Sequence, residues 1–237
     1  CEMDSMLSIA RNNALAVVED AAQGVGAKYK DIPLGGIGNL GAFSFHETKN
    51  VISGEGGALL VNDEKYIEAA EIVREKGTDR SQFMRGQVDK YTWRMQGSSF
   101  LPGELTAAFL CAQLEEERTI TQSRMSIWNN YHHQLEGLES CGLIRRPIIP
   151  QACTHNAHMY YVLLDHSLSR DLVLSRLRES GIGAVFHYVP LHSSPAGLKL
   201  GRTSGALSKT DDLSSRLIRL PIWFGMTSSE QDRVLEC

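Results

Sequence analysis

The sequence has no apolar run of the roughly 18–20 residues that a membrane-spanning helix needs. Its first residues do not follow the pattern of a secretory leader. It has no excess of positive charge: 24 Lys and Arg stand against 28 Asp and Glu, a formal net charge of −4. That balance argues against a generally basic nucleic-acid-binding surface. The five cysteines, Cys1, Cys111, Cys141, Cys153 and Cys237, are odd in number and scattered. A disulfide framework is therefore not expected, and a reducing compartment, the cytoplasm, is. No internal repeat and no low-complexity tract is present. An initiator Met is missing too: the chain opens on Cys1 and closes on Cys237 within a helix-like run. Both ends read as those of a fragment.

What is present is ordinary globular material. The chain has 237 residues, 42% apolar and 22% charged, enough to bury a sizeable core. Residues 5–13 read as the end of a helix. The apolar run Ala14 to Val18, followed by Glu19 and Asp20, reads as a strand buried on both faces, as in a parallel sheet. Ala42 to Phe45 and Ala58 to Val61 read as two more strands, and Glu64 to Lys76 has helical periodicity. Residues 77–102 show no clear period, and a stretch of that length is usually functional. A long helix is expected over Glu104 to Leu135, with Cys111 in its core. Met159 to Leu164 reads as a strand, Arg170 to Glu179 as a helix and Ala184 to Tyr188 as a strand. Asp211 to Ile218 and Ser228 to Leu235 read as helices. The organisation expected is a larger α/β part at 1–136, a linker at 137–150 and a smaller α+β part at 151–237.

Three features of the first sixty residues carry chemistry. Asp20 ends a strand. Lys49 follows 29 positions later, just past a strand that runs into Ser44 and His46. A Gly-rich segment, Gly54 to Gly57, comes next. Ligands of open α/β sheets bind outside the carboxyl ends of the strands, so these side chains can share one crevice. One carboxylate and one lysine at a crevice suit pyridoxal phosphate (PLP). The amine forms a Schiff base with its aldehyde, and the acid keeps the pyridinium nitrogen protonated. Taken singly, a strand-end Asp is more often a helix cap, and a Lys beside a Gly-rich turn a solvated charge.

The wording is more specific. Val18-Glu19-Asp20-Ala21-Ala22-Gln23-Gly24, Gly41 to Asn50 and Gly54-Glu55-Gly56-Gly57-Ala58 together closely resemble the sugar aminotransferase family of PLP enzymes (fold type I, DegT/DnrJ/EryC1/StrS type). Arg74 to Phe83, Gly86 to Trp93, Ala157-His158-Met159 and Val185 to His192 resemble one branch of that family. Its members aminate C4 of a dTDP-4-keto-6-deoxyhexose for a cell-surface polysaccharide of the enterobacterial common antigen type. The fold implied is α/β: the rear part of a fold type I large domain plus a smaller C-terminal α+β domain. The resemblance makes Lys49 the Schiff-base lysine and Asp20 the partner of the pyridinium nitrogen. Gln23 would contact the 3-hydroxyl side of the ring, and Ser44 would hold the phosphate. His46, Tyr91, His187, Tyr188 and His192 would lie near the nucleotide-sugar. It implies glutamate as amino donor and a homodimer with shared sites; charge, hydropathy and ligand spacing give no reason to expect nucleic acid, membrane or metal.

Two departures stand out. Relatives commonly carry Asn where Ser99 stands, in the segment that reaches into the partner subunit's site and would touch the cofactor. The family's N-terminal portion, with its phosphate-binding turn and helix N-terminus, is missing. Residues 1–237 alone are therefore expected to bind PLP weakly. Other readings are discounted. Gly36-Ile37-Gly38-Asn39-Leu40-Gly41 fits the dinucleotide fingerprint but lacks the helix that must follow it. Cys153 to His158 has metal-like spacing but no further distant ligand. Glu115 to Glu117 and His132-His133 read as helix surface. A dehydratase of the same family would carry His in place of Lys49. A non-catalytic PLP-fold module is the remaining alternative.

Overall fold

A computed structural model describes all residues, 1–237. In chain order its strands are β1 (Val18–Asp20), β2 (Lys28–Tyr29), β3 (Ile32–Pro33), β4 (Leu40–Ser44), β5 (Gly57–Val61), β6 (Ile144–Arg145), β7 (Cys153–Thr154), β8 (Tyr160–Leu164) and β9 (Leu217–Leu220). The first five helices are α1 (Met3–Asn12), α2 (Ile67–Arg74), α3 (Arg80–Met84), α4 (Glu104–Glu115) and α5 (Glu117–Gln134). The other five are α6 (Glu136–Ser140), α7 (Arg170–Glu179), α8 (Pro195–Leu200), α9 (Ser208–Arg216) and α10 (Ser228–Leu235). The residues form two compact units, one of 1–120 with 151–156, the other of 121–150 with 157–237. Residues 121–150, read from sequence as helix end and linker, fall in the second unit, and 151–156 fall in the first.

The first unit is organised by a three-stranded sheet in the order β1-β4-β5. β1 and β4 are parallel, with Val18 opposite Leu40, Glu19 opposite Gly41 and Asp20 opposite Ala42. β4 and β5 are antiparallel, from Leu40 opposite Val61 to Ser44 opposite Gly57. The sheet is thus mixed rather than wholly parallel. The first strand also starts later than its apolar run suggests. Ala14 takes φ 53°, and Leu15 N–H closes back onto the Ala10 carbonyl at 2.8 Å, so 14 and 15 end α1 instead of opening a strand. Leu15 is 61% and Val18 62% exposed, because nothing packs over either side chain.

Glu19 shapes the turn that feeds β4. Its buried carboxylate accepts N–H bonds from Gly35 (2.9 Å), Ile37 (2.6 Å) and Gly38 (2.6 Å). Asn62 Nδ2 donates to the Gly35 and Gly38 carbonyls of the same turn at 2.8 and 3.0 Å. Residues 36–41 therefore run into a strand, and N–H groups that could face a pyrophosphate are occupied by an internal carboxylate. Gly41 has to be glycine here: a Cβ would stand 2.2 Å from the Gly35 carbonyl oxygen.

Residues 77–102 are not structureless. They contain α3 and are pinned at their base. Lys76 N–H donates to Ser98 O (2.9 Å), Ser98 N–H to Val73 O (3.1 Å) and Phe100 N–H to Arg74 O (3.1 Å). Gly77, at φ 76°, lies so close to Met95 that a Cβ would meet its carbonyl oxygen at 1.8 Å. The expected single helix over 104–135 is two, broken at Glu116 (φ −95°, ψ 8°) within three adjacent glutamates whose like charges repel. Cys111 is exposed rather than core, and no residue of α4 is buried.

The second unit packs α5 and α7 on a sheet in the order β6-β8-β9. Central β8 is apolar throughout, and Tyr160, Val162, Leu163 and Leu164 are buried. α7 starts where the Ser169 hydroxyl accepts the Leu172 N–H, and it buries Leu174 and Leu177, one turn-face apart. Thr227 and Glu230 form a reciprocal capping box at the start of α10. Arg124 is buried and donates to the carbonyls of Ala157 (3.1 Å), His158 (2.7 Å) and Ile222 (3.3 Å). Burial pushes its guanidinium down to about 10. Residues 184–188 do not form a strand and make only a bridge from Val185 to Arg219. Leu217 and Ile218, expected at the end of the 211–218 helix, instead open β9: the helix ends at Arg216, and the apolar Leu217, Ile218 and Leu220 pair with β8.

Candidate active site

Parallel strands end at the same sheet edge, and this places the first group of side chains. β1 ends on Asp20, opposite Ala42, and β4 runs two residues further to Ser44, about 6–7 Å along the strand. Asp20 is exposed. Its Oδ1 accepts the Ala22 N–H at 3.1 Å, an Asx turn that reverses the chain and leaves Oδ2 for other partners. Gln23 follows in that turn, also exposed. Ser44 is half-buried, and its Oγ accepts the His46 N–H at 3.3 Å.

Lys49 sits on a compact loop that leaves the end of β4 and returns before β5. Its N–H donates to the His46 carbonyl at 2.9 Å. The loop is shut by Phe45 N–H to Gly56 O (2.8 Å), Ser53 N–H to Phe45 O (2.7 Å) and Glu47 N–H to Gly54 O (2.9 Å). Gly54, at φ 81°, supplies the left-handed turn that L-residues resist. His46 Nδ1 lies 3.2 Å from the Thr48 N–H and 2.9 Å from the Thr48 hydroxyl. Nε2 stands 3.8 Å from the Glu55 carboxylate.

Asn156 ties the Asp20 turn to the Lys49 loop. Its Nδ2 donates to the carbonyls of Gln23 at 2.8 Å and Val25 at 2.7 Å. Its own carbonyl accepts from Asn50 Nδ2 at 2.8 Å. Asn156 is 5% exposed, so these bonds are sheltered from water. The chemistry of the group fits PLP: an acid at the end of β1, a hydroxyl at the end of β4 and a primary amine on the loop that follows it.

Tyr91 and Ser99 lie on the 77–100 excursion. Tyr91 is 52% exposed and meets Phe83 edge-on at 5.6 Å, while Ser99 bridges to Glu75 at the end of α2. His187, Tyr188 and His192 belong to the second unit. His187 Nδ1 and Arg219 Nε are buried without a hydrogen-bond partner. Burial, and then the Arg219 charge, hold the His187 imidazole below its usual range. Tyr188 is 71% exposed at φ 41°, and His192 Nε2 lies 2.9 Å from Asp211 Oδ1.

Sequence reasoning missed Asn156, Asn50, Glu19 and Arg219. Asn156 lies within the Cys153–His158 stretch that was weighed only for metal-like spacing. No group of three or more His, Cys, Asp or Glu is placed to hold a metal ion. No helix is long and apolar enough to cross a membrane.

The sequence profile of the DegT/DnrJ/EryC1/StrS aminotransferase family matches residues 1–237. GDP-perosamine synthase from Caulobacter vibrioides is 30% identical over 241 residues, covering 99% of this chain and 60% of that protein. The structure of S. venezuelae DesV in complex with a ketimine intermediate superposes with a TM-score of 0.85 at 28% identity, over 100% of this chain and 60% of that one. The PLP form of Spr1654 from Streptococcus pneumoniae has a TM-score of 0.87 at 21% identity, over 100% of this chain and 64% of that one, which shows a shared fold. The chain thus spans about 60% of the length of the relatives it matches.

Proposed function

This chain belongs to the DegT/DnrJ/EryC1/StrS aminotransferase family, and on that premise we propose that it carries the lysine and acid of a PLP-dependent sugar aminotransferase site. The observation that carries the reading is the parallel register of β1 and β4, which brings Asp20 and the Lys49 loop to one sheet edge. Bound PLP supplies an electron sink that lets an amino group move between carbons.

The chain's own residues do the rest. The Asp20 carboxylate pairs with the protonated pyridine nitrogen and favours its charged form. Lys49 tethers the cofactor by its amine. When not bound to the cofactor, its amine would be the group that moves a proton in each half of the transfer. Gln23 flanks the ring's 3-hydroxyl side, and the Ser44 hydroxyl holds phosphate oxygen. Ser99 stands on the segment that would complete the site of a partner copy in a homodimer, where its one hydroxyl offers fewer donors than an Asn amide.

For the reaction we infer transfer from glutamate to C4 of a dTDP-4-keto-6-deoxyhexose, as in dTDP-4-amino-4,6-dideoxygalactose formation. The wording of 74–93 and 185–192 supports that sugar, with His46 and Tyr91 of the first unit as its candidate contacts. A different nucleotide-sugar within the family is the second reading, favoured by the similarity to GDP-perosamine synthase. Mixing the PLP-loaded protein that carries these residues with L-glutamate tests the proposal. It should release 2-oxoglutarate with loss of the visible cofactor band, and Lys49→Ala should do neither. Glutamate turnover that persists undiminished in Lys49→Ala overturns it.

A further inference from the structure

We propose that Asn156 and Asn50 form a positioning clamp that sets Lys49 against the cofactor ring. The inference deepens the reading of Asp20 and Lys49 as the acid and amine of a PLP site, and it rests on that reading. Three segments meet at Asn156: the turn that follows Asp20, the loop that bears Lys49, and β7. Both hydrogens of its side-chain amide are used on the first, at Gln23 O and Val25 O. Its main-chain oxygen receives the side chain of Asn50, the residue next to Lys49. β7 itself pairs with β2 through Tyr29 opposite Cys153, so Asn156 is held from a third direction. Lys30 N–H adds a bond to the Ala152 carbonyl at 2.7 Å.

The arrangement reaches further than local folding requires. The Asp20 turn is already closed by its own Asx bond, and the Lys49 loop by its bonds to 53–56. Each would keep its shape without Asn156. Beyond the last β1–β4 ladder pair, Asp20 opposite Ala42, the bonds of Asn156 add a fixed relation between the two. Residues 106 to 133 positions away in sequence supply that relation through an amide whose size and donor pair fit two carbonyls at once. A proton moved by Lys49 between two carbons requires the amine to stay within a narrow angle of the ring, and small misplacements of a catalytic group carry large rate penalties. Asn156 touches neither ring nor substrate in this account and acts through the two loops.

The test compares wild type, Asn50→Ala and Asn156→Ala, each as the complete protein loaded with PLP. Asn50→Ala takes away the donor to the Asn156 carbonyl and leaves the bonds of Asn156 to Gln23 and Val25 in place, so it serves where Asn156→Ala does not fold. The readouts are the apparent PLP dissociation constant, the midpoint pH at which the visible band of the lysine-bound cofactor titrates, and the melting temperature. We expect Asn50→Ala to weaken PLP about fivefold, the size of one lost hydrogen bond, and to move the band's midpoint. A purely structural role would lower the melting temperature and leave that midpoint where it is, which would overturn the clamp. An unchanged midpoint and affinity in Asn50→Ala would overturn it as well. If wild type forms no adduct on Lys49, the reading of the site itself fails and the clamp falls with it.

Discussion

The Asp79 carboxylate accepts the Thr92 N–H at 2.6 Å, while the Asp79 N–H donates to the Thr92 carbonyl at 3.2 Å. Asp79 is 4% exposed, and Arg94 Nε stands 3.7 Å from its second oxygen. One buried side chain thus closes the excursion of residues 77–100 from inside. Asp79→Ala leaves the Thr92 N–H without its acceptor and should cost roughly 1–3 kcal/mol. Hydrogen exchange should accelerate at the amides of Thr92 and Arg94 while those of β8 stay protected. Equal exchange in mutant and wild type across 77–100 would contradict this.

Glu19 offers a sharper electrostatic test. Its two oxygens take three N–H bonds and carry the charge that strengthens them. In Glu19→Gln one oxygen becomes an NH2 group facing a backbone N–H, so at least one buried donor loses its partner. The expected loss is about 2–3 kcal/mol in urea unfolding, an unusual cost for an isosteric change. A loss within about 0.5 kcal/mol, the range of neutral surface changes, would contradict the role assigned to the turn at 35–38.

In the second unit, acid should be destabilising from near neutrality downward. The His132 ring stacks on Trp128 at 4.6 Å and 14°, and Tyr160 Oη lies 3.5 Å from its Nδ1. Burial, then the Arg146 charge, lower its pKa from 6.5, against the opposing pull of Glu139 and Glu136. His187 is lowered in the same way by burial and Arg219. A histidine lowered in the folded state binds its proton more readily when unfolded. Stability is therefore full above the unfolded value near 6.5 and falls as pH drops through it toward the folded value. His132→Gln should flatten the pH dependence of the unfolding free energy between about pH 7 and 5. An unchanged slope would contradict the contribution of His132.

What was legible in the sequence was local. The strand before Lys49 announces itself by a short apolar run and the turn at Gly54 by its glycine, whereas the run before Asp20 meets β1 only at its last residue, Val18. The helices with polar caps, such as α7 behind Ser169 and α10 behind Thr227, were also plain. Tertiary pairing hid the rest. Val185 looks like a strand residue by composition but meets only Arg219, and Leu217 reads as helix until β8 claims it. Glu116 breaks a helix with neither Gly nor Pro to mark it. Asn156 gave no signal because its partners, Gln23 and Asn50, are distant in sequence, and a single Asn has no periodicity.

The most direct test of the account is where the cofactor is attached. The protein carrying these 237 residues is loaded with PLP, reduced with borohydride, digested and sequenced by mass spectrometry. The account predicts one pyridoxyl-lysine, on Lys49, lost in Lys49→Ala and weakened in Asp20→Ala. A label on Lys28, Lys76 or any other lysine with Lys49 unmodified would contradict it.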